Sequence, residues 1–160
     1  RSTSVSSSDS ACVLLALSLL GQGNVLDARR LSAVRVLAPD TMHLTPREMT
    51  ALGLPRRLGA RRSALLDRCR HMVAMSGDRA VGFAAFELTG TGDLLVHELS
   101  AAKHAQPVVS ALVTALELAC LAAGGTRLLI SSSVATPQAM LSAQGYAPAV
   151  WSGWYEKQVP

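Results

Sequence analysis

The sequence predicts an α/β (α+β) fold, in which a mixed, mostly antiparallel sheet of six to seven strands is flanked by helices. Three observations support this fold class. Strand-like segments joined by short glycine turns follow one another in the middle of the chain, as in antiparallel hairpins. Two strands then enclose a long apolar helix over residues 93–133, the pattern of a βαβ crossover. One more helix and one more strand close the chain.

The chain of 160 residues is long enough for one domain with its own core. We expect a flexible serine-rich tail over residues 1–10 and a single domain over residues 11–160, which begins with an extra N-terminal helix near residues 11–20. Hydrophobic residues make up 49% of the chain, which excludes disorder for most of it. No apolar run reaches the length that a membrane span requires, so no membrane role is expected.

A strand is expected over residues 31–40, and two helices follow it. Thr45, Pro46 and Glu48 have the spacing of a capping box at the start of the first helix. In this arrangement the side chains at the N-cap and at the third helical position each bond the other residue's amide, and proline suits the first position. The second helix is expected over about residues 55–70.

Three antiparallel strands come next, each predicted from an apolar segment bounded by turn residues. Gly77 and Asp78 form the first turn, between the segments HMVAMS and RAVGFAAFELT. The second turn, over residues 90–93, leads into the third strand, LLVHELS. These strands therefore form a meander that directly precedes the crossover helix.

The crossover helix, over residues 108–125, is apolar on almost all sides and must be buried on most of them. Gly124 and Gly125 suit a left-handed C-cap, and the strand RLLISSS follows at once. A short helix from Thr136 or Pro137 through Ala143 and a terminal strand over residues 149–159 complete the domain. The polar stripe of the long helix consists of Ser110, Thr114 and Glu117.

The net charge of +4 comes from an arginine-rich set of basic residues, six of which lie between Arg56 and Arg70. Such a cluster can meet phosphate, nucleic acid or an acidic partner, but we favour the interpretation of a solvated helix face. Aromatic residues are only 4% of the chain and none interleave with these arginines, which disfavours nucleic-acid binding.

Cysteine and histidine residues indicate neither a disulfide framework nor a zinc site, because no CxxC spacing and no matching histidine pair is present. We expect no metal cofactor, and we expect a bacterial protein of the reducing cytoplasm. The residues concerned are Cys12, Cys69, Cys120, His43, His71, His97 and His104.

The order of elements from residue 31 to residue 160 is similar to that of the GNAT acetyltransferases. Three segments carry the resemblance: SGDRAVGFAAFE matches the family's second and third strands, the long helix that ends in Gly-Gly and runs into RLLISSS matches the helix and fifth strand after the cofactor loop, and AMLSAQGYAP matches the closing helix and its Gly-Phe step. The resemblance implies acetyl-CoA or another acyl-CoA as the acyl donor.

In that family, backbone amides of a loop with the pattern Arg or Gln, two residues, Gly, one residue, Gly or Ala hold the coenzyme A pyrophosphate at a helix N-terminus. Here Lys103 takes the basic position, Gln106 and Val108 stand in place of the glycines, and Pro107 lacks an amide. The pantetheine would pair with the edge of the strand at Leu99 and Ala101. The resemblance thus implies that the cofactor-binding residues are Leu99, Ala101, Lys103, His104, Ala105, Gln106 and Val108.

The resemblance also implies a catalytic carboxylate at Glu98, near the end of the strand LLVHELS. Strand alternation places Glu98 on the same face as Leu94 and Val96, with Leu99 on the opposite face. We therefore expect a partly buried carboxylate that takes a proton from an amine, directly or through water. The alternative is a structural role, in which Glu98 pairs with an arginine or lies in water at the strand end.

The function implied is acyl-CoA-dependent N-acyltransfer, in which a small amine or a protein amine attacks the acyl group directly. The family often has a tyrosine as general acid, and its place here is Leu141, which leaves Tyr146 and Tyr155 as alternatives. The absent glycines and the absent tyrosine favour a second hypothesis, a non-catalytic GNAT-like binding or regulatory module that has lost efficient coenzyme A binding.

Partner preferences follow from the residues that would build the acceptor pocket. Arginines, Trp151 and Trp154 favour an anionic or aromatic acceptor over a polyamine, by charge complementarity. The N-terminal helix or an edge of the sheet offers a surface for a homodimer.

Overall fold

The computed structural model describes residues 34–160, which form a seven-stranded sheet flanked by helices. The strands lie in the order β1-β2-β3-β4-β5-β7-β6, and within this sheet β4 and β5 are the parallel pair. The strands are β1 (Val34–Val36), β2 (Arg70–Ser76), β3 (Arg79–Leu88), β4 (Asp93–Ala101), β5 (Arg127–Ser131), β6 (Ala147–Pro148) and β7 (Trp154–Gln158). The helices are α1 (Pro46–Ala51), α2 (Ala60–Arg68), α3 (Gln106–Ala122) and α4 (Gln138–Ala143).

The predicted mixed, mostly antiparallel sheet is confirmed, with seven strands in the described part of the chain. The predicted tail over residues 1–10 and the extra helix near residues 11–20 lie outside the described residues. Several boundaries differ from the prediction. The first strand ends at Val36, before the expected end near residue 40, and α2 begins after Gly59 rather than at Pro55. The terminal strand, expected over residues 149–159, covers Trp154–Gln158, because a turn occupies residues 152–153. No helix within residues 34–160 is long and apolar enough to cross a membrane.

Helix α1 begins with the predicted capping box. The Thr45 hydroxyl accepts a hydrogen bond from the Glu48 amide at 3.2 Å, and the Glu48 carboxylate accepts one from the Thr45 amide at 2.8 Å. Pro46 occupies the first turn. These two bonds satisfy amides that the helix itself leaves without a partner, and so fix where the helix starts.

The sheet separates two hydrophobic layers. On one face, α1 and α2 cover a smaller cluster that includes Leu52, Leu66 and Phe83. On the other face, α3 packs across the sheet and buries a larger cluster that includes Phe86 and Ile130. Any side chain on β4 therefore faces either the α1 and α2 layer or the α3 layer.

Helix α3 approaches the sheet most closely at Gly82 in β3. A Cβ atom at Gly82 would lie 2.6 Å from Cγ1 of Val108 and 2.9 Å from Cδ1 of Leu112. The absence of a side chain thus lets the first two turns of α3 sit directly on the strand. The predicted C-cap is confirmed, because Gly124 has a φ of 74° and the Gly125 amide donates to the carbonyl of Cys120 at 2.8 Å.

The polar stripe of α3 anchors the last third of the chain. Gln144 donates to the Ser110 hydroxyl at 2.7 Å. Glu117 accepts hydrogen bonds from the hydroxyl of Tyr146 at 3.2 Å and from Nζ of Lys157 at 2.8 Å. The residues that make the long helix amphipathic therefore hold α4 and β7 against it.

A salt bridge joins the first register pair of β4 and β5. The Arg127 guanidinium donates to both carboxylate oxygens of Asp93, at 3.0 and 2.9 Å, and lies 3.4 Å from Glu156. Bidentate geometry of this kind is the strong form of the arginine–carboxylate pair. These hydrogen bonds lower the pKa of Asp93 below its usual value of 3.8. The pair thus fixes the start of the parallel strands.

Replacing Gly82 with alanine should destabilise the protein, because the new methyl group must displace Val108 or Leu112. Overpacking of this kind costs about 1–3 kcal/mol of unfolding free energy, measurable by chemical denaturation. Gly90→Ala is the control, since no atom lies within 4 Å of a Cβ at that turn. The double variant Gly82→Ala/Val108→Ala should recover part of the loss, and an unchanged stability of Gly82→Ala would contradict the close packing.

Acid should destabilise the protein partly through Asp93. The pKa of Asp93 is lower in the folded protein than in the unfolded chain, where it is 3.8. Its contribution to the unfolding free energy is therefore fully present above pH 3.8 and is lost as the pH falls through the folded-state pKa. Asp93→Asn should therefore show a shallower loss of unfolding free energy between about pH 5 and pH 2, followed by urea denaturation at each pH. Asp78→Asn, in an exposed turn, should keep the wild-type slope; an equal slope in Asp93→Asn would rule out this contribution.

Candidate functional site

Strands β4 and β5 part in the middle of the sheet. Their parallel register runs from Asp93 opposite Arg127 to Val96 opposite Ile130, and no further pair between them is formed within the described residues. Strand β4 nevertheless continues to Ala101, where it still pairs with Gly82 of β3. The edge of β4 beyond Val96 therefore faces an opening that β5 does not fill.

A β-bulge lies on β4 where the two strands part. Ala85 of β3 is opposite Glu98, whereas its neighbour Phe86 is opposite Val96, so His97 is the extra residue. An extra residue reverses the alternation of every side chain beyond it. The predicted alternation is accordingly wrong: Leu99, not Glu98, joins Val96 in the α3 layer.

Glu98 instead faces the α1 and α2 layer, where its carboxylate is almost completely enclosed. Its side chain is 1% exposed. Oε1 accepts hydrogen bonds from the amides of Leu99 at 3.0 Å and Ala135 at 2.9 Å, and Oε2 accepts one from the guanidinium of Arg62. A buried carboxylate needs partners of this kind. Glu98 therefore links β4 to α2 and to the segment after β5.

Glu98 pairs with an arginine, as its structural alternative expected, and this arginine is Arg62, which the sequence analysis did not single out from the cluster. The other five arginines between Arg56 and Arg70 are exposed, in agreement with a solvated face, but Arg62 reaches across α2 to Glu98. Its Nη1 also donates to the Ser133 hydroxyl at 3.2 Å. Leu66 lies one helical turn after Arg62 and is 3% exposed, and residues four apart share a helix face, which agrees with the inward position of Arg62. The sequence alone does not single out Arg62, because Leu65 follows the exposed Arg61 at the same spacing.

Thr136 crosses the opening between β4 and β5. Its amide and its hydroxyl both donate to the Leu99 carbonyl, at 3.1 and 2.7 Å, and the residue is 4% exposed. The Leu99 amide is already bonded to Glu98. Both backbone groups of Leu99, the residue expected to pair with pantetheine, thus have partners within the protein. Ala101, the other expected residue, pairs with Gly82 and is 2% exposed.

The junction between β4 and α3 has an unusual backbone. Lys103 and His104 have φ values of 54° and 50°, a left-handed conformation that residues other than glycine rarely adopt. Both side chains are exposed, and the Ala105 amide closes the turn on the Ala102 carbonyl at 3.1 Å. Conformations of this kind in non-glycine residues cluster at functional sites. The turn presents two basic side chains beside the start of α3.

Few amides are left for an anion at the start of α3. The amides of Val108 and Val109 both donate to the Ala105 carbonyl at 3.1 Å, and Pro107 has none, which leaves the amide of exposed Gln106. The Val108 side chain is buried and packs on Gly82 rather than on the junction. The structure thus brings Lys103, His104, Ala105 and Gln106 together at one end of the opening and places Val108 in the core.

The two tyrosines considered as general acids differ in position: Tyr146 lies away from the opening, whereas Tyr155 is opposite Ile130, the last residue of β5 that pairs with β4. The hydroxyl of Tyr146 donates to Glu117, and burial raises the pKa of Tyr146 well above its usual range. Glu117 follows Gln106 by eleven residues of α3, about 16 Å along the helix axis. Tyr155 pairs with Ile130 and packs against the α3 layer. Tyr146 is therefore held away from the opening as a structural group.

The two tryptophans lie at opposite ends of β5. Trp154 is opposite Ser131, at the end where the strands part, and its ring meets that of His97 edge-on at 5.5 Å. Trp151 instead covers Arg127 at 5.1 Å, beside an open cavity of about 460 Å³ at the start of β4 and β5. The prediction that both rings build the acceptor pocket is wrong for Trp151, because the loop before β7 carries it to the far end.

No group of histidine, cysteine, aspartate and glutamate residues within residues 34–160 is arranged to hold a metal ion. The candidate site thus consists of the Glu98 carboxylate, the Arg62 guanidinium, the edge of β4 beyond Val96 and the turn that carries Lys103 and His104.

Solved structures with a similar fold are GNAT-family acetyltransferases. A protein assigned to that family from Desulfovibrio desulfuricans is 15% identical and aligns over 80% of this chain and 100% of its own, with a TM-score of 0.62. A GNAT acetyltransferase from Staphylococcus aureus is 9% identical over 80% and 100% of the two chains, with a TM-score of 0.59. The aminoglycoside 6'-N-acetyltransferase from Enterococcus faecium is 16% identical over 72% and 90%, with a TM-score of 0.52.

No protein-family model and no curated protein sequence matches this chain, so the likeness rests on the arrangement of the backbone. The predicted fold is confirmed: residues 34–160 have the fold of the GNAT acetyltransferases.

Proposed function

We propose that this protein is an acyl-CoA-dependent N-acyltransferase that transfers an acetyl or other acyl group to a small amine or a protein amine. The observation that carries the proposal is the position of Glu98, a buried carboxylate at the point where β4 and β5 part. The opening gives an extended ligand access to a strand edge, and the carboxylate lies beside it. The fold supports the proposal by analogy.

The residues around the opening fit the acyl donor at its phosphate end. Lys103 and His104 are exposed and basic, and the Gln106 amide lies at the positive end of α3. The charge of these side chains would here take the place of most of the backbone amides that the glycine-containing loop of the GNAT family provides. Pantetheine would lie along β4 near Leu99 and Ala101, where the Leu99 carbonyl becomes available once Thr136 moves away.

Acyl-CoA, when bound, supplies an activated acyl thioester. Glu98 would take one proton from the ammonium form of the acceptor, which frees the nitrogen lone pair for attack on the acyl carbon. As the carbon–nitrogen bond forms and the carbon–sulfur bond breaks, the second proton of the nitrogen would pass to the departing sulfur, so that the products are the amide and the free thiol. Oε2 is the oxygen for this role, since both amide donors bond Oε1 and Arg62 alone bonds Oε2.

A second candidate is a non-catalytic module with the same fold. Its specific support is Thr136, which occupies the Leu99 carbonyl with two hydrogen bonds, together with the single free amide at the start of α3. Calorimetry with acetyl-CoA separates the two functions. Binding at micromolar to submillimolar concentration, with thiol release when a library of primary amines is added, supports the enzyme; no heat and no thermal shift at millimolar ligand supports the module.

Thr136→Val should strengthen acetyl-CoA binding. The variant removes the hydroxyl that bonds the Leu99 carbonyl at 2.7 Å but keeps the shape of the side chain. A net hydrogen bond contributes about 0.5–1.5 kcal/mol, so the dissociation constant should fall by about 2- to 12-fold, measured by calorimetry. Thr50→Val, on α1 and bonded only within its own helix, is the control. Weaker binding by Thr136→Val would mean that Thr136 supports the ligand rather than competing with it.

Glu98→Gln should lose activity while it keeps acetyl-CoA binding. The amide oxygen can still accept from Leu99 and Ala135, but a carboxamide cannot take a proton from the acceptor. Loss of a general base lowers kcat by about 100- to 10,000-fold, measured as thiol release with an amine found in the library. Asp78→Asn removes an exposed carboxylate in the turn between β2 and β3 and should leave the rate essentially unchanged. Full activity of Glu98→Gln across the pH range would exclude Glu98 as the base.

A further inference from the structure

The guanidinium of Arg62 covers the free oxygen of Glu98. We propose, on the basis of the function proposed above, that the acceptor is an amino-acid-like zwitterion: its amine binds Glu98, and its carboxylate, on the same or the neighbouring carbon, binds Arg62. Arg62 is thus the residue that selects the acceptor.

Glu98 and Arg62 form a largely buried pair. The Glu98 side chain is 1% exposed and that of Arg62 is 29% exposed, and they are in direct contact. Arg62 covers Oε2, so an acceptor amine can reach this oxygen only if it displaces the guanidinium. Oε1 is not an alternative, because it is held by the two amides. Any acceptor must therefore come to lie beside the arginine that it displaces.

The charge balance of this pair also restricts the acceptor. Glu98 and Arg62 together carry no net charge. A simple ammonium ion that enters this enclosed place adds an uncompensated positive charge next to Arg62, which is unfavourable where water is scarce. A zwitterion adds none, because each of its charges finds the opposite one. The displaced guanidinium then regains a carboxylate partner in place of Glu98.

The donors of Arg62 suit a carboxylate. A guanidinium has five N–H groups in one plane, and the contacts of Arg62 involve only its two Nη atoms, with Glu98 and Ser133. An edge of the group is left for bidentate binding of a carboxylate. Ser133, itself bonded to the Ser131 hydroxyl at 2.8 Å, holds the arginine at the mouth of the opening. The spacing between the two charges is short, which favours an α- or β-amino acid.

The test is the binding of the twenty common L-amino acids to the full chain, by calorimetry with and without coenzyme A. Those that bind are compared with their carboxamides and with the corresponding amines that lack the carboxylate. We expect at least one acid to bind about 10- to 100-fold more tightly than its amide, as for a charged hydrogen-bonded pair. In Arg62→Gln the difference between acid and amide should disappear.

Two further variants keep the test decisive. Arg61→Gln removes the exposed neighbouring charge on the same helix and should keep the preference for the acid. Arg62→Lys retains a positive charge over Glu98, which protects folding, and should keep a reduced preference because lysine lacks the planar fork. The proposal is overturned if no amino acid binds the wild-type protein, if amides bind as tightly as acids, or if the preference survives in Arg62→Gln.

Failure of this proposal is distinguishable from failure of the transferase itself. If acetyl-CoA binds and thiol is released with simple amines but without preference for acids, the enzyme stands and the amino-acid acceptor is wrong. If amino acids bind through Arg62 and acetyl-CoA does not, the ligand class stands and the transferase is wrong.

Discussion

A single extra residue in β4, His97, determines which side of the sheet each later side chain faces. Beyond this bulge, Leu99 lies in the α3 layer and Glu98 lies under α2. Pairing with β5 ends at the same place, so the carboxylate and the exposed strand edge coincide. Had the strand continued without the bulge, the carboxylate would lie among the apolar side chains of the α3 layer, on the opposite side of the sheet from Arg62.

The groups that would bind a ligand at the opening are bonded to one another within the protein. Glu98 is enclosed by Arg62 and two amides, and the Leu99 carbonyl is bonded by Thr136. Removing one member of a buried ion pair costs about 3–5 kcal/mol, so a ligand that opens the site must supply equivalent partners. This requirement restricts the ligands that can enter the site.

Local sequence signals predicted most of the fold. The capping box at Thr45, the glycines after α3 and the turn at Gly77 act over a few residues, and each was found where it was expected. The site was predicted less completely because its geometry depends on contacts distant in sequence. The bulge shifts the apolar positions from Leu94 and Val96 to Leu99 and Ala101, but Leu95 is apolar as well and hides this change of phase in the sequence. The pairing of Arg62 with Glu98 spans 36 residues.

The two parts of the candidate site lie in different places relative to the sheet. Arg62 and Glu98 lie on the side of the sheet covered by α1 and α2. The basic turn directly follows the end of β4, and the start of α3 lies on the other side of the sheet. If the proposed function holds, substitutions on α2 would alter the amine that is accepted while the basic turn keeps its shape. Such a protein would change its acceptor by changing one surface helix and would keep the same acyl donor.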